Sequence, residues 1–351
     1  MVQRTQTANM PYAYDPTPIK QDISVYYTDL NIGGISFGII EDRKWKSSPA
    51  NIFPPEYKVI NGWPENQNYN KAKDFSAPQA ELLGDRQEVF LENWVENWSE
   101  KTWIKLLLSQ TIFATVATLP DSAISDVVVP TLRITKEGEY PSNDKPTQDM
   151  DSNGWPKEGR DNAVEIIRRG FAFHLAGDQH LGSTIQYGVD EWNDAGWAIC
   201  VPSVSNYFPR RWFPKIPGKN RPDGAPNNLG EFEDGFGNKI TVHAVSNPVF
   251  TGLEPAKLYD RAPGYGIVKF NRNSREIELA NWPRHIDPTK ADAKPYDGWP
   301  ITINQEDNYG RKAKAYLPTV EVSGLENPPV IQIIDEASSE IVYTIRAKEN
   351  N

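Results

Sequence analysis

Gly177-Asp178-Gln179-His180 closes an apolar run, Phe171-Ala172-Phe173-His174-Leu175-Ala176. In an extended chain, residues i and i+2 share a face. A carboxylate at 178 and an imidazole at 180 can therefore meet one metal ion as neighbouring ligands, hard oxygen beside imidazole nitrogen. The chain has only four histidines, His174, His180, His243 and His285, so one placed directly after Gly-Asp is informative. Taken alone, a motif this short is more often a turn aspartate and a satisfied histidine. His174, inside the run, reads as a core histidine with a hydrogen-bond partner.

Other residues could handle a charged ligand. Glu41-Asp42-Arg43-Lys44 is a charged cluster at a strand end. Arg43 there can present a planar fork to a phosphate or orient a ligand. The plainer reading is a charge pair solvating the strand end. Arg210-Arg211 with Lys215 is a local basic spot in an acidic chain. It suits a phosphate or simple solvation equally. Trp192, Trp197, Tyr207, Phe208, Trp212 and Phe213 follow the Gly-Asp-x-His strand as an aromatic belt. Packing is the default for such residues. A pocket wall or a docking surface is the sharper reading.

The positioning elements can be read from periodicity. Residues 1–22 are an irregular lead-in, and residues 48–80 form a proline- and asparagine-rich loop. Gly33–Ile40 is a strand punctuated by glycine. Leu82–Trp98 is the clearest helix, with Asp85 and Glu88 near its N-terminal end, where the dipole favours acids. Trp103–Val116 reads as a buried strand followed by a turn. A helix over 161–169 then leads into the strand over 171–176. This strand-helix-strand rhythm predicts α/β layering for about the first 215 residues. Beyond residue 215 the pattern is mainly β. Hairpins are predicted over 231–246 and 266–280, with further strands at 320–322, 330–334 and 340–345. Gly-Trp-Pro recurs at 62–64, 154–156 and 298–300 with irregular spacing. Each indole is expected to plug a loop onto the body while the proline fixes the exit.

Several segments, in order, resemble the alkaline phosphatase D (PhoD-like) metallophosphatases. They are Ile40-Glu41-Asp42-Arg43-Lys44-Trp45-Lys46-Ser47, Leu82-Leu83-Gly84-Asp85-Arg86-Gln87, Leu106-Leu107-Leu108-Ser109-Gln110-Thr111, Asp151-Ser152-Asn153-Gly154-Trp155-Pro156 with Arg160, Gly177-Asp178-Gln179-His180, and Asn193 through Trp212. The last resembles a signature of one long-chain branch. The resemblance implies an α/β fold: a partial two-sheet, calcineurin-like sandwich over 1–215, followed by a β-rich extension over 216–351. It implies phosphomonoester or phosphodiester hydrolysis by metal-activated water. Calcium and iron are the metals it implies, with Asp178 and His180 as ligands. Arg43 and Arg160 would contact substrate, although Arg160 also reads plainly as a surface arginine beside a helix entry.

The sequence departs from that family in one way that matters. It contains no Gly-Asp-x-x-Asp/Tyr, Gly-Asn-His or Asp-Asp-His segment. The chain thus resembles the C-terminal half of the enzyme. Its activity is expected to require a separate chain or a missing N-terminal half, and alone it is expected to be incomplete. The competing reading is a non-catalytic binding or assembly module that has lost the metal site.

Composition bounds these readings. A net charge of −10 argues against a nucleic-acid surface. It does not argue against a small phosphorylated substrate. No apolar run is long enough to span a bilayer, and the first residues lack a signal peptide's apolar core. The single cysteine, Cys200, excludes an internal disulfide.

Overall fold

The computed structural model describes residues 5, 7–69, 77–99, 101–313, 315, 316 and 318–348. Part of the loop expected over 48–80 therefore lies outside the described residues.

The main sheet has eight strands: β1 (Thr28–Ile32), β2 (Ile35–Ile39), β3 (Ile104–Leu108), β4 (Phe173–Ala176), β5 (Ser183–Tyr187), β6 (Trp197–Cys200), β7 (Gly230–Glu233) and β8 (Lys239–Val245). Their order across the sheet is β1-β2-β3-β4-β6-β5-β8-β7. β2, β3, β4 and β6 run parallel, and the strands on either side are antiparallel. The sheet takes strands from both sides of residue 215.

Parallel strands are buried on both faces and so carry continuous apolar runs. β3, Ile-Lys-Leu-Leu-Leu, shows how its two faces are used. Leu107 faces a core shared with α1 (Asp85–Glu96) and α2 (Lys157–Arg169). Ile104 and Leu106 face a second core with Ile277, Leu279 and Ile303. These last residues belong to a smaller antiparallel sheet of β9 (Gly264–Phe270), β10 (Glu276–Pro283) and β11 (Ile301–Asn304). Helices thus cover one face of the main sheet and the small sheet covers the other. A terminal hairpin of β12 (Val330–Ile334) and β13 (Ile341–Arg346) lies beside α2.

α1 buries Gln87, Phe90, Leu91, Trp94 and Val95, a stripe at three- and four-residue spacing. Each large apolar side chain in such a stripe contributes about 1.5–3 kcal/mol by burial. The helix approaches β2 closely because Gly38 has no side chain. A Cβ there would lie 2.8 Å from the Trp94 indole. Below the helix, fully buried Lys105 donates to the carbonyls of Trp94 and Asn97, satisfying the end of α1.

The two helices and most strands fall where periodicity placed them. The exceptions are informative. The regular part of 103–116 is only Ile104–Leu108; Ile112–Val116 is buried but irregular. Its apolar content reflects burial under the loops and not strand pairing. Residues 320–322 form no strand, and Val320 is exposed. β-branched composition there has no partner strand to act on. All three Gly-Trp-Pro indoles, Trp63, Trp155 and Trp299, are buried, as plugs should be.

His174 lies wholly buried in β4 between the Ser109 hydroxyl (2.7 Å) and the Tyr187 hydroxyl (2.8 Å). Burial pushes its imidazole down to about 3. An unfolded histidine titrates near 6.5. Between those values the unfolded chain binds a proton that the folded one refuses. Stability is therefore complete above about pH 6.5 and falls as pH drops towards 3, by up to about 1.4 kcal/mol per unit. His243, pushed down by burial to about 4, adds to the same window. The urea midpoint should fall steadily from pH 7 to 4, with a shallower slope in His174→Gln. An unaltered slope would show that His174 is not the buried proton acceptor.

Candidate functional site

A cleft of about 420 Å³ opens beyond the carboxyl ends of the parallel strands. Arg43 follows β2, Thr111 follows β3, Asp178 and His180 follow β4, and Tyr207, Phe208 and Arg210 follow β6. Ligand sites of open α/β sheets form at this edge because each strand delivers a loop there.

The loops are locked before the cleft is lined. Buried Asp42 accepts hydrogen bonds from the Thr111 backbone and the Asn153 amide, tying together the β2, β3 and pre-α2 loops. Gln179 is 2% exposed and points inward, donating to the Ala114 carbonyl and accepting from Val116 N–H. With Gln179 held inside, its neighbours Asp178 and His180 both line the cleft. The extended backbone expected for this pair is not what places them. β4 ends at Ala176, and Asp178 (φ 62°) and His180 (φ 57°) are left-handed. Sequence periodicity cannot reveal such a kink, which is more often strained in histidine than in glycine.

Arg43 bridges the cleft floor. It donates to the Gln110 side chain (2.7 Å), the Asp151 carbonyl (2.9 Å) and Asp178 Oδ2 (2.9 Å). Gln110 also donates to Asp178 Oδ2, at 3.1 Å. Arg43 therefore fixes the orientation of Asp178. Half-buried Lys46 donates to the Ser152 carbonyl nearby. Burial and the charge of Arg43 pull its ammonium down to about 7, against the upward pull of Asp149, Asp151 and Asp42.

Opposite lies Arg210, 2.6 Å from buried Asp149 and 3.9 Å from Asp126. Burial raises the carboxyls of Asp126 and Asp151; Arg210 opposes the shift at Asp126 and Arg43 opposes it at Asp151. His180 packs edge-on to Phe208. Burial and then Arg210 push its imidazole down, favouring the neutral form. Its Nδ1 is buried without a partner among the described residues.

The basic spot read in the sequence is divided. Arg210 enters the cleft, while Arg211 makes a two-pronged pair with buried Asp144, at 2.8 Å on each oxygen. The aromatic belt divides too: Tyr207 and Phe208 wall the cleft, whereas Trp212 and Phe213 are core. Arg160 is not a cleft residue. It is fully buried and donates to the carbonyls of Phe113 and Gly188 and to Asp161, with its guanidinium over the Tyr187 ring. Asp126, Asp149 and Gln179 were not singled out from sequence, because nothing local marks an aspartate whose partner is remote.

The donor types in the cleft suit a metal ion; their arrangement does not close around one. Four carboxylates, those of Asp126, Asp149, Asp151 and Asp178, face the two guanidiniums of Arg43 and Arg210. The lining is thus acidic by two charges, while the unpartnered Nδ1 of His180 is buried. Yet among the described residues no three His, Cys, Asp or Glu side chains gather as a metal-holding group. Asp178 Oδ2 is already held by Arg43 and Gln110. Catalytic metal centres need about three protein ligands or more. No hydrolytic step through a metal follows from these residues alone.

No protein-family profile matches the sequence, and no curated protein matches it. Two solved structures are similar to parts of the chain. One is the structure of PhoD, with 19% identity and a TM-score of 0.34, covering 54% of this chain and 32% of that one. The other is purple acid phosphatase PPD1 from yellow lupin (Lupinus luteus) seeds, with 11% identity and a TM-score of 0.35, covering 88% of this chain and 38% of that one. The chain spans about a third of the length of each. Overlap at this level carries no functional argument, so the chemistry has to be judged from the cleft. Among the described residues no helix is long and apolar enough to cross a membrane.

Proposed function

We propose that this chain carries the phosphoryl-binding side of a phosphoric ester hydrolase of the PhoD-like kind, and that it does not turn over substrate alone. The observation that supports this reading most is the pairing of Arg43 and Arg210 across a cleft that also presents Asp178 and His180. Guanidiniums suit phosphoryl oxygens. The surplus carboxylates suit a cation. Both classes of group are used when a phosphoester is hydrolysed by metal-activated water. The ordered sequence motifs point the same way. Within this reading, Asp178 and His180 are two ligands of a centre whose other ligands come from a separate chain or an N-terminal half. Calcium and iron are the metals it would take.

The incomplete ligand set favours a second reading, a binding module without catalysis. Both readings expect the chain alone to be inactive, and one assay tests that expectation. Purified chain is incubated with p-nitrophenyl phosphate and its bis ester, with calcium and iron added. The expected result is no release above the blank. Turnover lost in Asp178→Asn and His180→Ala would show that the chain is complete and the site correctly placed. Turnover untouched by both substitutions would refute the site assignment.

A further inference from the structure

The cleft is larger than a phosphoryl group needs. At about 420 Å³ it has the size of a pocket that takes a whole organic ligand. Arg43 and Arg210 suit the phosphoryl end. The wall of Tyr207 and Phe208 is left to meet whatever group the phosphorus carries.

The two rings are set differently. Phe208 is half-buried against the small core of Trp63, Leu119 and Val129. Tyr207 is 71% exposed, and of the six aromatics in the belt it alone is exposed. A ring left in water adds little to the fold by burial. It is nevertheless held in place. The half-buried Arg261 lies over it, 5.3 Å from the ring centroid, and donates to the Tyr207 carbonyl at 2.9 Å. Asn206 is 2% exposed and donates to the carbonyls of His180 (2.9 Å) and Arg261 (2.6 Å). One buried amide thus ties the Tyr207 segment both to the Gly-Asp-x-His turn and to the arginine over the ring. A cation over one face is worth little stability at an exposed site. It does fix the ring before a ligand arrives, which lowers the ordering cost of binding. A fixed ring with free surface in a cleft can stack on a second planar group.

We propose that Tyr207 is a stacking platform that selects phosphoesters whose organic group carries a planar ring, either an aryl ring or a nucleobase. The proposal rests on the reading of Arg43 and Arg210 as the phosphoryl site. The phosphoryl oxygens meet the guanidiniums as charge-assisted hydrogen bonds, and the ring of the ester lies against Tyr207. Tyr207 is then a specificity residue, with Arg261 and Asn206 as its positioning residues.

Methyl phosphate, phenyl phosphate and adenosine 5′-monophosphate are titrated calorimetrically into the whole chain and into its Tyr207→Ala, Tyr207→Trp and Arg43→Gln variants. Phenyl phosphate carries its ring on the ester oxygen and the nucleotide carries its ring on a sugar, so the pair shows which source of ring the platform reaches. At least one of them is expected to bind about tenfold tighter than methyl phosphate. That margin should vanish in Tyr207→Ala and survive in Tyr207→Trp. It is a ratio read within each protein, so a general loss of folding moves both affinities and leaves it unchanged. Methyl phosphate that binds and is weakened by Arg43→Gln, with no margin for either ring, would overturn the platform and leave the phosphoryl reading standing. A margin that persists in Tyr207→Ala would also overturn the platform. Methyl phosphate that does not bind, or binds regardless of Arg43→Gln, would overturn the phosphoryl reading and the platform with it.

Discussion

Replacing Arg211 with methionine is expected to destabilise the fold by about 3–5 kcal/mol. The guanidinium meets both oxygens of Asp144 at 2.8 Å, and the Asp144 carboxylate is only 2% exposed. Thr118 donates to the same carboxylate, and Thr118 itself joins the loop after β3 to the Arg211 carbonyl. Removing the guanidinium leaves a buried charge without its counterion, and that loss exceeds the modest value of the pair itself. Urea denaturation measures the change. Pairing Arg211→Met with Asp144→Leu should recover most of the loss, because two apolar groups leave no orphaned charge. A single Arg211→Met protein as stable as the parent would mean that the pair is not sealed from water.

The second large effect concerns the cleft, and it has opposite signs at two neighbouring residues. Arg43→Gln should weaken inorganic phosphate binding about tenfold or more, since it removes a charge-assisted donor. Asp178→Asn should strengthen it several-fold. The substitution removes a carboxylate that competes for Arg43 at 2.9 Å and lowers the acidity of the lining. Calorimetry on each variant beside the parent protein reads both changes. Changes of the same sign at both residues would mean that the substitutions act through folding and not through the anion.

How much of this was visible in the sequence depends on whether the signal was local. β3 and α1 announce themselves by continuous and three-to-four spacing, since burial on two faces or one is written directly into residue type. Asp178 and His180 were legible as a pair from Gly-Asp-x-His, and the structure brings them to one cleft. The route was not legible. Gln179 had to be anchored by Ala114 and Val116, sixty-odd residues upstream, for its neighbours to turn outward. Arg43 could be singled out because it sits at a strand end, and the structure places it in the cleft. Arg160 and Arg211 have the same side chain as Arg43 and became structural, because burial, unlike residue type, is decided by distant packing. Asp126 and Asp149 gained their significance only through Arg210, which folding delivers from beyond β6.

The account rests on the cleft as a phosphoryl site, and anomalous diffraction from crystals of the protein soaked in tungstate, a tetrahedral phosphate analogue, tests that most directly. The account predicts a tungsten peak between Arg43 and Arg210, within hydrogen-bond reach of both guanidiniums. Tungsten bound elsewhere on the protein, with no peak in that cleft, would contradict it.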